Sequence, residues 1–181
     1  MESVLATLVS LKDHHQLNRE RWRELESDPA LARLDQRIET DKYGKIVMMP
    51  PPGFEHSCKQ GAILRLLEAH MPEGKGLALP ECPISTTSGV KGVDAAWLSH
   101  ERAKSAVADN LLITAPEICI EVISPGNTRQ EIEDKKRLYF ESGAEEVWIC
   151  GLDGTMAFFV KEKPEFEASL SSLCPDFPQS V

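Results

Sequence analysis

The stretch ICIEVISPGNTRQEIEDKKRLYFESGAEEVWIC, residues 118–150, decides the fold class. Its first six residues are apolar except for one acid and predict a buried strand, and residues 146–150 predict a second strand. Between them, residues 128–142 have the periodicity of a helix. Thr128 precedes Glu131 by three residues in a capping-box pattern, and Gly143 stands where a left-handed C-terminal cap is expected. Strand, crossover helix and strand indicate an α/β (α+β) domain.

The same patterns extend in both directions along the chain. Residues 37–49 predict a hairpin with Gly44 in its turn, and residues 54–71 predict a helix. Prolines and glycines then predict a series of short strands that lead to VDAAWL at 93–98. Residues 2–34 have a helical pattern. We therefore predict an N-terminal helical extension, residues 1–34, and one α/β domain, residues 35–181, with a central mixed β-sheet flanked by helices.

Composition limits the classes of function. The 181 residues include 29 acidic and 20 basic side chains, a net charge of −9. This charge argues against a broad basic nucleic-acid surface but leaves room for a local cationic groove. No apolar run approaches the ~20 residues that span a bilayer, so no membrane segment is predicted. The start lacks the basic n-region of a signal peptide, and the five widely spaced cysteines form no CxxC pair. We expect reduced, structural thiols in a cytoplasmic protein.

Two acids interrupt otherwise apolar strands. Asp94 shares a strand face with Ala96 and Leu98, and Glu121 shares one with Cys119 and Ile123. An ionised carboxylate in a buried strand is costly unless it is paired, hydrogen-bonded or bound to a metal. Either acid alone could sit at a strand end in contact with water. The pair favours a site, and hard oxygen ligands suit Mg²⁺ or Mn²⁺.

Four further side chains are candidates for the same site. On the 128–142 helix, Lys135 and Lys136 both lean toward the apolar face, and periodicity does not choose between them. Either lysine could instead be a snorkelling side chain beside an apolar stripe. His56 opens the predicted helix after the proline-rich turn, where a histidine is most often partly exposed and passive. Glu39 is either a third acid of the site or a residue of an edge strand.

In this order of parts the chain resembles the Uma-type restriction endonuclease domain of the PD-(D/E)XK nuclease superfamily. The resemblance covers residues 37–177. It rests mainly on the long string IEVISPGNTRQEIEDKKRLYFESGAEEVW, with Glu39, His56 and the GVDAAWL strand at matching places. Two positions depart from the superfamily pattern. Val93 replaces the usual proline before the aspartate, and Ile123 stands where the E-x-K motif has its lysine.

The resemblance implies a restriction endonuclease-like core and a metal-dependent phosphodiesterase site. Asp94 and Glu121 correspond to the two acids that bind the metal, Mg²⁺ or Mn²⁺. The lysine comes from the next helix, four residues before the tyrosine, which selects Lys135 as the third catalytic residue. Family members usually carry an aspartate four residues before this lysine. Here Glu131 takes that position and could pair with Lys135.

These observations lead to competing functions. The first is a Mg²⁺-dependent endonuclease that hydrolyses DNA, with Glu39, His56, Glu131 and Lys136 as accessory residues. The second is a catalytically inactive module of the same fold that binds nucleic acid or protein. Residues 141–181 hold eight acidic and two basic residues, so most excess negative charge follows the helix. A basic cluster at 135–137 would then suit weak DNA binding, and duplex cleavage would favour a homodimer.

Overall fold

The computed structural model describes residues 2–33, 36–106 and 110–181. Besides a short 3₁₀ helix at Leu31–Arg33, its elements in chain order are α1 (Glu2–Glu26), β1 (Ile38–Thr40), β2 (Ile46–Met48), α2 (Phe54–His70), β3 (Gly76–Thr86), β4 (Gly89–Ser99), α3 (His100–Ala106), β5 (Ile118–Val122), α4 (Arg129–Glu141), β6 (Glu146–Cys150), β7 (Met156–Val160) and β8 (Glu167–Ala168). Strands β3 to β8 form one sheet in that order, while β1 and β2 form a separate hairpin. Only β5 and β6 are parallel within the six-stranded sheet. The predicted mixed sheet flanked by helices is confirmed.

Helix α4 has the ends that its sequence predicts. The Thr128 side chain accepts a hydrogen bond from the Glu131 backbone N–H, and the Glu131 carboxylate accepts one from the Thr128 N–H. This reciprocal capping box satisfies two donors that the first turn of a helix leaves free. Gly143 follows the helix with φ of 105°, a conformation that glycine adopts without steric cost.

Strands β3 and β4 differ from the prediction of short pieces, because each runs without interruption for 11 residues. Pro80 and Pro83 lie within β3, which is the edge strand of the sheet. An edge strand tolerates proline because half of its backbone N–H groups face away from the sheet. The two strands pair from Gly76 with Ser99 to Thr86 with Gly89, and this long hairpin carries Asp94.

The core lies on both faces of the sheet. On one face, Ile63 and Leu67 of α2 pack in a buried cluster with Trp148. On the other face, Ile132 and Tyr139 of α4 pack in a second cluster. Alternate residues of β5 and β6 supply the two clusters, as the period of two in a strand requires. Helix α2 therefore packs on one face of the sheet and α4 on the other, where Glu121 contacts Lys135 and Tyr139.

Helix α1 contacts the α/β domain through its second half. Asn18 donates to Ser85 Oγ at 2.8 Å and to the Thr86 carbonyl at 2.9 Å, and Leu25 is buried. The predicted helix in the N-terminal region is present. The predicted domain boundary between residues 34 and 35 falls outside the described residues, so the division into extension and domain stays a prediction.

Two expectations from composition can be compared with the structure. All five cysteines are free, and four of them are buried. In the described part of the chain, every helix is too short or too polar to cross a membrane.

Candidate active site

The two strand acids lie on adjacent strands of the sheet, β4 and β5. Strands β4 and β5 pair with Ala95 opposite Ile120 and Ala96 opposite Cys119. One step further in this register, Asp94 lies opposite Glu121. Both side chains are buried, with 3% and 4% exposed surface. The two carboxylates are linked by ion pairs, because Arg37 contacts Asp94 and Glu39, and Lys135 contacts Glu39 and Glu121.

Asp94 is held by three donors from three different segments. Its Oδ1 accepts a hydrogen bond from Arg37 at 2.7 Å, and its Oδ2 accepts one from the Val122 N–H at 2.8 Å. His56 Nε2 lies 3.2 Å from the same Oδ2. Burial alone would raise the pKa of Asp94, but the hydrogen bond with His56 and the charge of Arg37 outweigh burial and lower it to about 2. Asp94 is therefore a permanently ionised carboxylate.

Glu121 is clamped by two residues of α4, one helical turn apart. Lys135 Nζ lies 3.0 Å from Oε2, and the Tyr139 hydroxyl donates to Oε1 at 2.5 Å. Burial raises the pKa of Glu121 to about 7, against the opposing effect of Lys135, and the charge of Asp94 adds to the rise. Burial and the charge of Glu121 also raise the pKa of Tyr139 well above its ordinary value. The phenol therefore keeps its proton and remains a donor.

Glu39 also lies in this cluster. It is 3% exposed, and its Oε1 lies 3.3 Å from Lys135 Nζ. The Gly92 N–H donates to the same oxygen at 3.2 Å, and Lys91 Nζ lies 3.7 Å from Oε2. Burial would lower the pKa of Lys135, but Glu121 and Glu39 outweigh it and raise that pKa. Lys135 is thus a buried ammonium between two carboxylates.

His56 also lies in the cluster. Its side chain is 10% exposed and contacts Asp94. Its Nδ1 is buried and has no hydrogen-bond partner in the described part of the chain. A buried polar atom of this kind is costly unless a water or another group binds it.

Two predicted accessory residues lie elsewhere. Lys136 contacts Glu133 at 2.8 Å and lies 4.0 Å above the Phe159 ring, because it faces the opposite flank of α4 from Lys135. Glu131 does not pair with Lys135, because its carboxylate is used in the capping box. The expected basic cluster at 135–137 is also wrong, since Arg137 pairs with Glu141. Each of these cations is neutralised by a nearby acid.

Sequence reasoning missed two residues that hold Asp94. Arg37 contacts Glu81 as well as Asp94, and Gln60 donates to the Asp94 carbonyl. Arg37 had a detectable signal, because it precedes Glu39 by two residues and therefore shares its strand face. The sequence carries no such signal for Gln60, because its contact with Asp94 depends on how α2 crosses the sheet.

The donor set can be compared with the metal that the sequence predicts. Carboxylate oxygens are hard ligands, which Mg²⁺ and Mn²⁺ prefer. The pKa of Glu121 remains raised despite the adjacent Lys135. Among the described residues, no three His, Cys, Asp or Glu side chains are already arranged to hold a metal ion. The residues fit a divalent cation in their chemistry. A divalent cation held by Asp94 and Glu121 would compete with Arg37 and Lys135, which contact these two carboxylates.

The raised pKa of Glu121 has a consequence for stability in the absence of metal. A carboxyl with a folded pKa of about 7 and an unfolded value of 4.5 stabilises the fold below pH 4.5 and loses this contribution as pH rises through 7. We expect the loss to reach about 3 kcal/mol. Glu121→Gln removes this titrating group. The Tm of the variant, measured in a chelator, should therefore change less between pH 5 and 7 than the Tm of the wild type. Equal pH dependence in both proteins would contradict the burial of this charge.

The mixed sheet, its flanking helices and the buried cluster of carboxylates and lysine define a nuclease-like α/β domain. The family model Uma2, described as "Putative restriction endonuclease", matches residues 14–168, and the chain belongs to this family. The match begins within α1, earlier than the resemblance seen in the sequence. No curated protein matches the chain.

A solved structure supports the fold. The chain is similar to a crystal structure described as a putative nuclease belonging to DUF820 from Anabaena variabilis, with a TM-score of 0.66 and 18% identity. The similarity covers 81% of this chain and 88% of that chain. At this identity the similarity establishes a shared fold.

Proposed function

We propose that the protein is a Mg²⁺- or Mn²⁺-dependent endonuclease that hydrolyses phosphodiester bonds of DNA. One observation carries the proposal: two buried carboxylates on adjacent strands, Asp94 and Glu121, belong to one network of ion pairs, in which Lys135 Nζ lies 3.0 Å from Glu121. Membership of the restriction endonuclease family supports a nuclease function.

In this proposal the chain holds the metal through Asp94 and Glu121, with Glu39 as a third carboxylate nearby. A bound divalent cation polarises the scissile phosphate and lowers the pKa of a water. Lys135 supplies a positive charge to the anion that develops during attack. His56 and Tyr139 act through the acids, because each contacts one carboxylate and fixes its orientation.

Metal-dependent cleavage tests the proposal. We expect the purified protein to cleave plasmid or single-stranded DNA with Mg²⁺ or Mn²⁺ and to lose this activity in a chelator. By calorimetry, Asp94→Asn should weaken Mn²⁺ binding at least about 10-fold, because it removes a ligand charge. Asp134→Asn, an exposed acid on α4, is the matched control and should bind Mn²⁺ as the wild type does. Cleavage that survives both Asp94→Asn and Glu121→Gln would exclude this site.

The second function, a non-catalytic module, is favoured by one specific observation. Arg37 and Lys135 already neutralise the oxygens that would bind a cation. Under this alternative the acids serve to hold β1, α2 and α4 on the sheet. Absence of both cleavage and calorimetric metal binding, together with binding to DNA or protein, would support it over the endonuclease.

A further inference from the structure

Exposed apolar side chains concentrate on the hairpin and at the start of α2. Five of the ten large apolar residues that are exposed in the described chain lie between residues 43 and 54, namely Tyr43, Ile46, Val47, Met48 and Phe54. Tyr43 is 70% exposed and Phe54 85%. Contiguous exposed apolar surface is uncommon on soluble proteins and marks interaction sites.

The turn that carries Tyr43 is held firmly. Asp41 Oδ1 accepts hydrogen bonds from the Tyr43 N–H at 2.8 Å and the Lys45 N–H at 2.9 Å. Arg21 of α1 donates to the Gly44 carbonyl at 2.9 Å, and Gly44 adopts a positive φ of 74°. The exposure of Tyr43 is therefore built into an anchored turn. Such a preorganised aromatic ring loses little entropy when a ligand binds it.

The exposed charges at this turn are positive, although the whole chain is acidic. Lys42 and Lys45 are both exposed, and Lys42 Nζ lies 5.0 Å from the centroid of the Tyr43 ring. The adjacent Asp41 carboxylate is engaged by backbone donors. Lysines beside an exposed aromatic ring suit a strand of nucleic acid, whose phosphates bind cations and whose bases stack on rings.

The same segments also build the candidate active site. Arg37 and Glu39, on the strand that leads into this turn, contact Asp94 and Lys135. Phe54 begins α2 two residues before His56. Tyr43 and Phe54 therefore lie within four residues along the chain of Glu39 and His56, which belong to the candidate site.

We propose that Tyr43 and Phe54 are two stacking positions for unpaired bases of single-stranded nucleic acid, with Lys42 and Lys45 binding its phosphates. We call these four residues the aromatic platform. The inference rests on the proposed nuclease function and assigns its substrate surface. A second copy of the chain is the competing occupant of β2, an unpaired edge strand.

Binding of oligo(dT) tests the platform separately from cleavage. The full chain is titrated in a chelator against a fluorescently labelled strand, and anisotropy gives the Kd. We expect Tyr43→Ala and Phe54→Ala each to weaken binding by about 5- to 100-fold, and Tyr43→Trp to retain it. Phe166→Ala is the matched control, since Phe166 is 71% exposed at a distant turn between β7 and β8. Replacing either lysine by glutamine should reduce the slope of log K against log salt concentration by about 0.7, if that lysine contacts a phosphate.

The outcomes separate this inference from the proposed function. Binding that depends on Tyr43 and Phe54 without any metal-dependent cleavage would keep the platform and reject the endonuclease. Cleavage by the wild type with unchanged binding in Tyr43→Ala and Phe54→Ala would reject the platform alone. No oligonucleotide binding by the wild type also rejects it. Sedimentation could instead show a dimer that Val47→Lys dissociates. If oligonucleotide binding is also unchanged in the aromatic variants, the surface binds a second copy of the chain.

Discussion

Replacing Lys135 by methionine is expected to lower metal-dependent DNA cleavage by about 10²- to 10³-fold. Among the described residues, its side chain is the one cation in contact with both Glu121 and Glu39. Methionine fills a similar volume but carries no charge to stabilise the anion that forms during phosphodiester attack. Because the pKa of Glu121 is already raised to about 7, this residue can take up a proton when the lysine is lost. The variant is therefore expected to fold, which thermal denaturation checks.

Lys136→Met is a matched control for this prediction. The two lysines are adjacent on α4 and both are largely buried, but Lys136 contacts Glu133 and Phe159. We expect Lys136→Met to cleave DNA as the wild type does. Equal activity in the two variants, or a larger loss in Lys136→Met, would reject Lys135 as the catalytic lysine.

Replacing Glu146 by alanine is expected to cost about 3–5 kcal/mol of unfolding free energy. Glu146 is 1% exposed at the start of β6. Its carboxylate accepts hydrogen bonds from the Trp148 indole and from the backbone N–H groups of Ser172 and Leu173. The hydroxyls of Ser171 and Ser172 add two more. Alanine leaves these donors without an acceptor and removes the hydrogen bonds that hold residues 171–173 to β6. A fall in Tm of about 10 °C is the expected readout.

Glu145→Ala is the control for Glu146. Glu145 is the preceding residue, its side chain is half exposed, and it pairs with Arg102. Exposed ion pairs contribute about 0–1 kcal/mol, so the expected change in Tm is small. A similar loss of stability in both variants would show that the hydrogen bonds to Glu146 do not cause the loss in Glu146→Ala.

Local patterns predicted the elements that carry the site. The capping box and Gly143 gave the ends of α4, because both signals depend on residues within a few positions of each other. Alternation in β5 grouped Glu121 with Cys119, which packs with Tyr139 of α4. The choice of Lys135 over Lys136 came from family resemblance, since both lysines flank the apolar stripe and helical period does not separate them.

Other parts of the site depended on contacts between distant segments. Arg37, His56 and the Val122 N–H meet Asp94 from three segments, and no local period relates them. The failed pairing of Glu131 with Lys135 has the same origin, because Lys135 reaches two buried acids that compensate its desolvation better than an exposed one.

The sequence by itself determined the strand–helix–strand core, the mixed sheet and the two acids that interrupt its strands. These follow from side-chain period, turn residues and the cost of a charge in an apolar run. Only the tertiary structure decided the partners of those acids, the place of Glu39 and the binding of the residue 171–173 segment by Glu146. Such partners come from segments far apart in sequence, and the path of the chain through the fold brings them into contact.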